Sequence, residues 1–430
     1  MRKFILEELT DTELISLTQR TPDDFHEVIA TVREVIDNVR ANGDQALAAY
    51  SREFDQAQVV DIRVSEQEIR DAVDSVPDEV RRALQQAADN IEKFHKLQLP
   101  NAVETETVPG AYCRLEWRPI HRVGLYVPGG TAPLASTVLM LAIPARIAGC
   151  ADVVLCTPPL KSEAAAPEIL CAAAMCGIKR VFKVGGAQAI AAMGLGTETV
   201  PKVDKLFGPG NRFVAAAKSL LSQPPHNIAV DMLAGPSELL VIADETANPG
   251  WVAADLLSQA EHGADSRVIL VTTSVTVAEE VQRQLSRQLH GLERRSILER
   301  ALESSLVILT SSLTRAVEFA NLYAPEHLML AVRDAERLAC KITNAGSVFI
   351  GSASSVVFGD YASGTNHTLP TAGTAVATGS LCVSSFMKPI AFQTITQPGL
   401  ATLTPIVATL ARAEGLEAHA RAATIRGEAS

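Results

Sequence analysis

A chain of 430 residues exceeds what one hydrophobic core usually supports, so two or three domains are expected; 47% hydrophobic content with only 4% aromatic suits aliphatic α/β cores. A net charge of -11 argues against a nucleic-acid partner, whose phosphate backbone calls for clustered Lys and Arg. The segment Met1 to Glu8 turns acidic before a long apolar run can form, against a secretory signal, and no stretch reaches the length of a membrane span without a charge or helix breaker.

The N-terminal region, 1–120, reads as helical from Pro22 to about Leu97. Val28, Ile29, Val32, Ile36 and Val39 form one stripe, and a charged helix is expected over Asp78 to Lys96. From 121 to 236 short β-branched runs alternate with Ala-rich helices: strands are expected at Val123–Val127, Asp152–Cys156, Lys179–Val184 and Val203–Phe207. A second set over 237–375 offers Leu239–Ala243, Val268–Val271, Leu306–Leu309 and Ser347–Ile350. Alternation at this spacing is the pattern of doubly wound parallel sheets, and the two sets could be old duplicates, although no residue-level repeat joins them. The segment 376–430 ends in an Ala-rich helical tail from about Pro405. The seven cysteines form no CxxC pair and mostly sit in apolar runs, so they read as buried thiols in a reducing cytoplasm.

Four polar clusters stand out. Asn248 can cap a helix that Pro249 begins and Gly263 can close, which would stack Asp255, Gln259 and His262 on one stripe; a solvated polar helix face is the alternative. Glu326 and His327 are adjacent, so both can point at one substrate only from an irregular segment, which Pro325 favours. Asp360 follows Val356-Val357-Phe358 and precedes a small-residue loop ending in His367, a placement expected at the mouth of an α/β sheet. Glu414 and His419 lie on the tail. Gln259, His262, Asp360 and His419 together would offer two nitrogen and two oxygen donors, a borderline set suited to zinc, though no HExxH or Cys-rich spacing is present. Tyr126-Val127-Pro128-Gly129-Gly130, Gly185-Gly186-Ala187-Gln188 and Gly208-Pro209-Gly210-Asn211 are strand exits that let a ligand approach backbone; none is GxGxxG.

Gly124 to Pro133, Lys183 to Ala192, Phe207 to Asn211, Asp231 to Glu238, Ala324 to His327 and Gly364 to Pro370, in this order, resemble the L-histidinol dehydrogenase family over nearly the whole chain. The resemblance implies a fold of two incomplete Rossmann-like doubly wound domains with a helical N-terminal region packing partly on the second, and a helical C-terminal tail exchanged in a homodimer. It implies zinc on Gln259, His262, Asp360 and, from the second subunit, His419. Glu326 and His327 match the acid-base pair; Ser237, His367 and Glu414 match positions at the substrate, which also touches the zinc ligands and His327. Tyr126, Gln188 and Asn211 match NAD contacts. Where the family usually carries an Arg or an aromatic after Gly373-Thr374-Ala375, this chain runs Val376-Ala377-Thr378, a departure that bears on local packing or dimer contacts.

The reaction so implied takes L-histidinol to L-histidine in two NAD-dependent steps through a bound aldehyde. Neutral His327 suits removal of the hydroxyl proton near pH 7, and Glu326 suits polarising the water that adds to the aldehyde. The nearer alternative is a paralogous dehydrogenase that oxidises another amino alcohol or hydroxy acid with the same residues. A zinc hydrolase is the rival from a different class, because a metal with a Glu and a His also describes water activation.

Overall fold

The structure is a computed structural model that describes residues 1–20, 25–129, 133–232 and 235–428. The chain opens with an edge strand, β1 (Arg2–Ile5), and α1 (Asp11–Thr18), whose start is fixed by a capping box between Thr10 and Glu13. Three more helices follow: α2 (Phe25–Tyr50), α3 (Glu66–Ser75) and α4 (Asp78–Lys96). Val28, Val32, Ile36 and Val39 are buried on α2 as their spacing predicts, and α4 has the bounds expected for the charged helix. Two strands, β2 (Val103–Val108) and β3 (Ala111–Pro119), then lead into the first α/β set.

That set comprises β4 (Arg122–Tyr126), α5 (Ala135–Ala148), β5 (Asp152–Thr157), α6 (Pro167–Met175), β6 (Arg180–Lys183), α7 (Gly186–Leu195), β7 (Lys205–Phe207), α8 (Arg212–Ser222) and β8 (Ala229–Val230). Its strands form a parallel sheet ordered β6-β5-β4-β7-β8. The second set is β9 (Glu238–Ala243), α9 (Pro249–Ala260), β10 (Arg267–Thr272), α10 (Val275–Leu289), α11 (Arg295–Ser304), β11 (Leu306–Leu309), α12 (Leu313–Tyr323), β12 (His327–Ala331), α13 (Ala335–Ala339), β13 (Ser347–Ile350) and α14 (Val356–Tyr361). Its parallel sheet runs β1-β11-β10-β9-β12-β13.

Counted within its own segment, each set has the order 3-2-1-4-5, with β1 added at the edge of the second. The identical winding is the structural counterpart of the repeated strand-and-helix texture. Every residue of β9 and β12 is buried, as expected of central parallel strands covered on both faces. The N-terminal region divides its packing. Side chains of α2 join α7 and α8 on one face of the first sheet, α3 and α4 reach the other face beside α5 and α6, and Leu6 and Leu17 pack on the second sheet.

Beyond α14 the chain crosses back as β14 (Met387–Ile395), which pairs antiparallel with β3. With β2 this makes a small three-stranded sheet that the sequence texture did not announce. The last two helices, α15 (Gln397–Ala413) and α16 (Glu417–Glu428), pack chiefly on each other through Ala408, Ala411 and Ala420. They leave Ile406, Leu410, Leu416 and Ile425 exposed. Among the described residues no helix is long and apolar enough to cross a membrane.

Candidate active site

The expected cap of α9 is present: Asn248 Oδ1 accepts from the amides of Gly250 and Trp251, and Pro249 occupies the first turn. The end differs. Helix α9 stops at Ala260 with Glu261 as its cap, and Gly263 plays no closing part, because a further turn with His262 N on Gln259 O already satisfies the last carbonyls. Gln259 is thus buried on the final turn while His262 sits exposed just beyond it. Asp255 turns to the Ser355 hydroxyl rather than to the ligand stripe.

Glu326 and His327 stand where β12 begins, and His327 is already in the strand rather than on the irregular segment expected from Pro325. Strand pairing with β9 puts them beside Glu238. Glu326 Oε2 accepts from Glu238 N at 2.8 Å, His327 Nδ1 lies 3.1 Å from Glu238 O, and the same Nδ1 is 3.4 Å from Glu326 Oε2. The other ring nitrogen, Nε2, is 3.3 Å from Asp360 Oδ1, and Gln259 Nε2 donates to Asp360 Oδ2 at 2.9 Å. Asp360 therefore joins α9 to β12. Its apolar prefix is not strand-like: Val356 to Tyr361 is a short helix, so Asp360 approaches the cluster from a helix end. The cluster also lies at the amino ends of β9 and β12. An open α/β sheet ordinarily places its ligands at the carboxyl ends, the position expected for Asp360.

Charge explains the proton preferences. Burial pushes the Glu326 carboxyl up despite the neighbouring imidazole. Burial alone would lower His327, but the Glu326 charge and the Asp360 hydrogen bond overcome it and raise the imidazole well above its ordinary value. Glu326 on one side and Asp360 on the other are thus the two groups that favour a proton on His327. Burial would raise Asp360; His327, with His367 and His262, turns that shift downward. His367 itself is lowered by its enclosure. It is held at both nitrogens, Nδ1 2.7 Å from Asp360 O and Nε2 3.1 Å from Thr137 Oγ1 on α5, so it ties the first α/β set to Asp360.

Ser237 is half-buried immediately before β9. Glu414 caps α15 and His419 lies on α16, both exposed on the tail and outside the cluster. Among the described residues no group of three or more His, Cys, Asp or Glu side chains is placed to hold a metal. The chain alone brings together Gln259, Asp360 and nearby His262.

The three glycine-bearing exits gather at the carboxyl edge of the first sheet. Tyr126 ends β4 and is buried; its hydroxyl accepts from Gly186 N at 3.0 Å, and burial pushes its pKa up to about 12. Gln188 is buried in the first turn of α7. Exposed Asn211 caps α8 through Oδ1, which leaves its amide nitrogen as a donor. Tyr126 and Asn211 flank the point between β4 and β7 where the strand order reverses, and the Gly186 bond to Tyr126 ties the turn that carries Gln188 to the end of β4. Gly130, Thr131 and Ala132 of the first exit, with Pro22, Leu233 and Ala234, lie outside the described residues.

Two buried ion pairs beside these sites escaped the sequence reading. Glu238 is 3% exposed and takes a two-pronged bond from Arg20, at 2.8 and 2.9 Å, while Arg20 stacks 3.6 Å above the Tyr323 ring. Lys218 and Asp231 form the other pair. A charge inside an apolar pattern is the available signal: Glu238 opens a strand that is otherwise wholly apolar, and Lys218 shares a helix stripe with Val214 and Leu221. The cysteines differ from expectation too. All seven are free, but only Cys156, Cys171 and Cys176 are buried, and Cys340 is exposed.

Two doubly wound parallel sheets, one with glycine-bearing exits at its switch point and the other with an enclosed Glu326–His327 pair, define a Rossmann-like α/β protein. The histidinol dehydrogenase family model matches residues 18–427. The chain is 50% identical to histidinol dehydrogenase of Vibrio vulnificus (strain CMCP6) over 429 residues, covering 100% of this chain and 99% of the relative. It is 51% identical to that of Yersinia pestis over 399 residues, 93% of this chain and 89% of the relative. A crystal structure of histidinol dehydrogenase from Elizabethkingia anophelis superposes with a TM-score of 0.94 at 48% identity, over 100% of this chain and 98% of that one. The chain belongs to the histidinol dehydrogenase family, a family of NAD-dependent oxidoreductases.

Proposed function

We propose that this chain oxidises L-histidinol to L-histidine through bound L-histidinaldehyde, using zinc and two NAD, as the last step of histidine biosynthesis in the cytoplasm. The observation that carries the reading is the enclosed Glu326–His327 pair, locked to the Glu238 backbone and aimed at Asp360. Free cysteines suit a reducing compartment.

The donor set fits zinc: the amide oxygen of Gln259, the imidazole of His262 and the Asp360 carboxylate are ligand types it accepts, and Asp360 is kept ionised by surrounding histidines. They number one short of a closed four-ligand site. His419, on an exposed tail whose Ile406 and Leu410 are uncovered, is suited to complete the set in the second subunit of a homodimer, with Glu414 beside it at the substrate. Zinc on these ligands would bind the substrate nitrogens and take up the Asp360 charge, which after that of Glu326 is the second influence favouring a proton on His327. NAD accepts the hydride of each step, and the β4/β7 switch point with Tyr126, Gln188 and Asn211 is the place proposed for it.

The chain's own residues then divide the proton work. Glu238 O fixes His327 Nδ1 as the protonated nitrogen, so Nε2 is the one that faces the substrate hydroxyl and takes its proton. Glu326 uses Oε2 to hold Glu238 N; Oε1 can accept a proton from the water that adds to the aldehyde. His327 Nε2 returns its first proton to the aldehyde oxygen as water adds, which completes the hydrate and frees Nε2 to take a hydrate proton in the second oxidation. Ser237 and His367 border the substrate, and enclosure keeps His367 neutral.

Stepwise assays test the roles. Glu326→Gln should lower oxidation of histidinaldehyde by about a hundredfold or more, the usual weight of general-base catalysis, and slow aldehyde formation far less. Equal losses in the two half-reactions would contradict the assignment.

A further inference from the structure

Lys218 and Asp231 are the most deeply buried ion pair among the described residues, each with a side chain 1% exposed, and Nζ lies 2.6 Å from Oδ1. Such a pair contributes little net stability, because desolvation of both charges offsets their attraction. Its bonds point elsewhere. Lys218 Nζ donates to Gly208 O, and Gly208 N donates to Asp231 Oδ2 at 2.7 Å, so the two charges grip Gly208 from both sides of its backbone. Gly208 has φ +117°, and a Cβ there would stand 2.1 Å from Tyr126 O, so only glycine lets this turn press against the end of β4. Pro209, Gly210 and Asn211 continue the turn into α8. Asp231 Oδ1 also accepts from Met232 N at 2.6 Å, so the same carboxylate fixes the chain as it leaves the first sheet.

We propose that Lys218 and Asp231 are positioning residues that set the Gly208–Asn211 turn for the dinucleotide and thereby govern NAD affinity. The inference rests on the reading that NAD lies at the β4/β7 switch point. The pair reaches no residue of the Glu326–His327 cluster, so its influence falls on cofactor binding and not on proton transfer.

The test uses the full-length protein carrying Lys218→Met with Asp231→Leu, an apolar pair that leaves no lone buried charge. NADH binding is titrated by fluorescence, and KM is measured separately for NAD and histidinol. The NADH Kd and the KM for NAD should rise roughly tenfold, the weight of a strong hydrogen bond, with the KM for histidinol and kcat at saturating NAD changed by less than about twofold. Should the double variant not fold, Lys218→Arg, which keeps the charge but not the fit, is read in the same way. Unchanged NADH binding in a folded variant, or an equal rise in the KM for histidinol, would overturn the proposal. Asn211→Ala separates the two readings. If it leaves NADH binding unchanged, the dinucleotide lies elsewhere and both readings fall. If it weakens binding while the Lys218 variants do not, only the positioning role falls.

Discussion

Replacing Arg20 with Met isolates the contact on which the acid-base geometry rests. Glu238 would keep a carboxylate whose side chain is 4% exposed and lose both bonds from Arg20, leaving among the described residues Ala372 N at 3.3 Å. Removing one partner of a buried pair costs about 3–5 kcal/mol, and the 16% exposure of Arg20 places the expectation at the lower end, about 3 kcal/mol. Loss of the cation above Tyr323 adds about 0.5–1 kcal/mol. Because the chain has two sheets, one global unfolding energy is not the right measure; hydrogen exchange of the peptides spanning β9 and β12 reads the local opening. Protection there should fall by a factor of about 10²–10³, since each 1.4 kcal/mol is tenfold. Turnover should fall with it, because Glu238 N and O hold Glu326 and His327. Adding Glu238→Gln removes the unpaired charge and should recover part of the protection, a coupling of about 1–3 kcal/mol. Protection unchanged within a factor of about three, or a double variant no better than the single one, would refute the reasoning.

The tail and a buried acid supply further expectations. Inactive His262→Ala and inactive His419→Ala proteins, mixed and allowed to exchange subunits, should regain part of the activity, because some heterodimers then hold one intact site; no recovery in a sample shown by mass spectrometry to contain heterodimers would mean that His419 serves its own subunit or is no ligand. Asp55 is raised to about 6 by burial, and its Oδ2 is enclosed without a hydrogen-bond partner. A carboxyl whose folded pKa lies above its unfolded value loses stability as pH rises from about 3.8 through about 6. Asp55→Asn should therefore raise the melting temperature at pH 8 and leave it nearly unchanged at pH 4; an equal effect at both would remove ionisation as the cause.

Short apolar strands were legible because nothing interrupts them: Leu306–Leu309, mostly buried, and the half-buried Ser347–Ile350 have the expected bounds. β12 was hidden because Pro325, Glu326 and His327 break the apolar run at its start, which puts ionisable groups into a core strand. β1 and β2 carry mostly exposed residues, so neither gives an apolar period, and pairing decided their state. Val356-Val357-Phe358 has β-branched residues yet forms one helical turn, a case of tertiary context overriding propensity. At the site, residue types and the family resemblance named Gln259 and Asp360, but their contact spans 101 positions of chain, a separation no spacing rule reaches. Arg20 was equally silent, since its partner lies 218 residues away.

The central claim is a four-electron oxidation of one substrate, alcohol to carboxylate, at one site. The direct measurement is NADH formed per histidinol consumed, with the organic product identified in the same sample. The account predicts two NADH and one histidine for each histidinol, with free aldehyde never accumulating. One NADH per histidinol with aldehyde released, or histidinol left unchanged while another amino alcohol is oxidised, would contradict it.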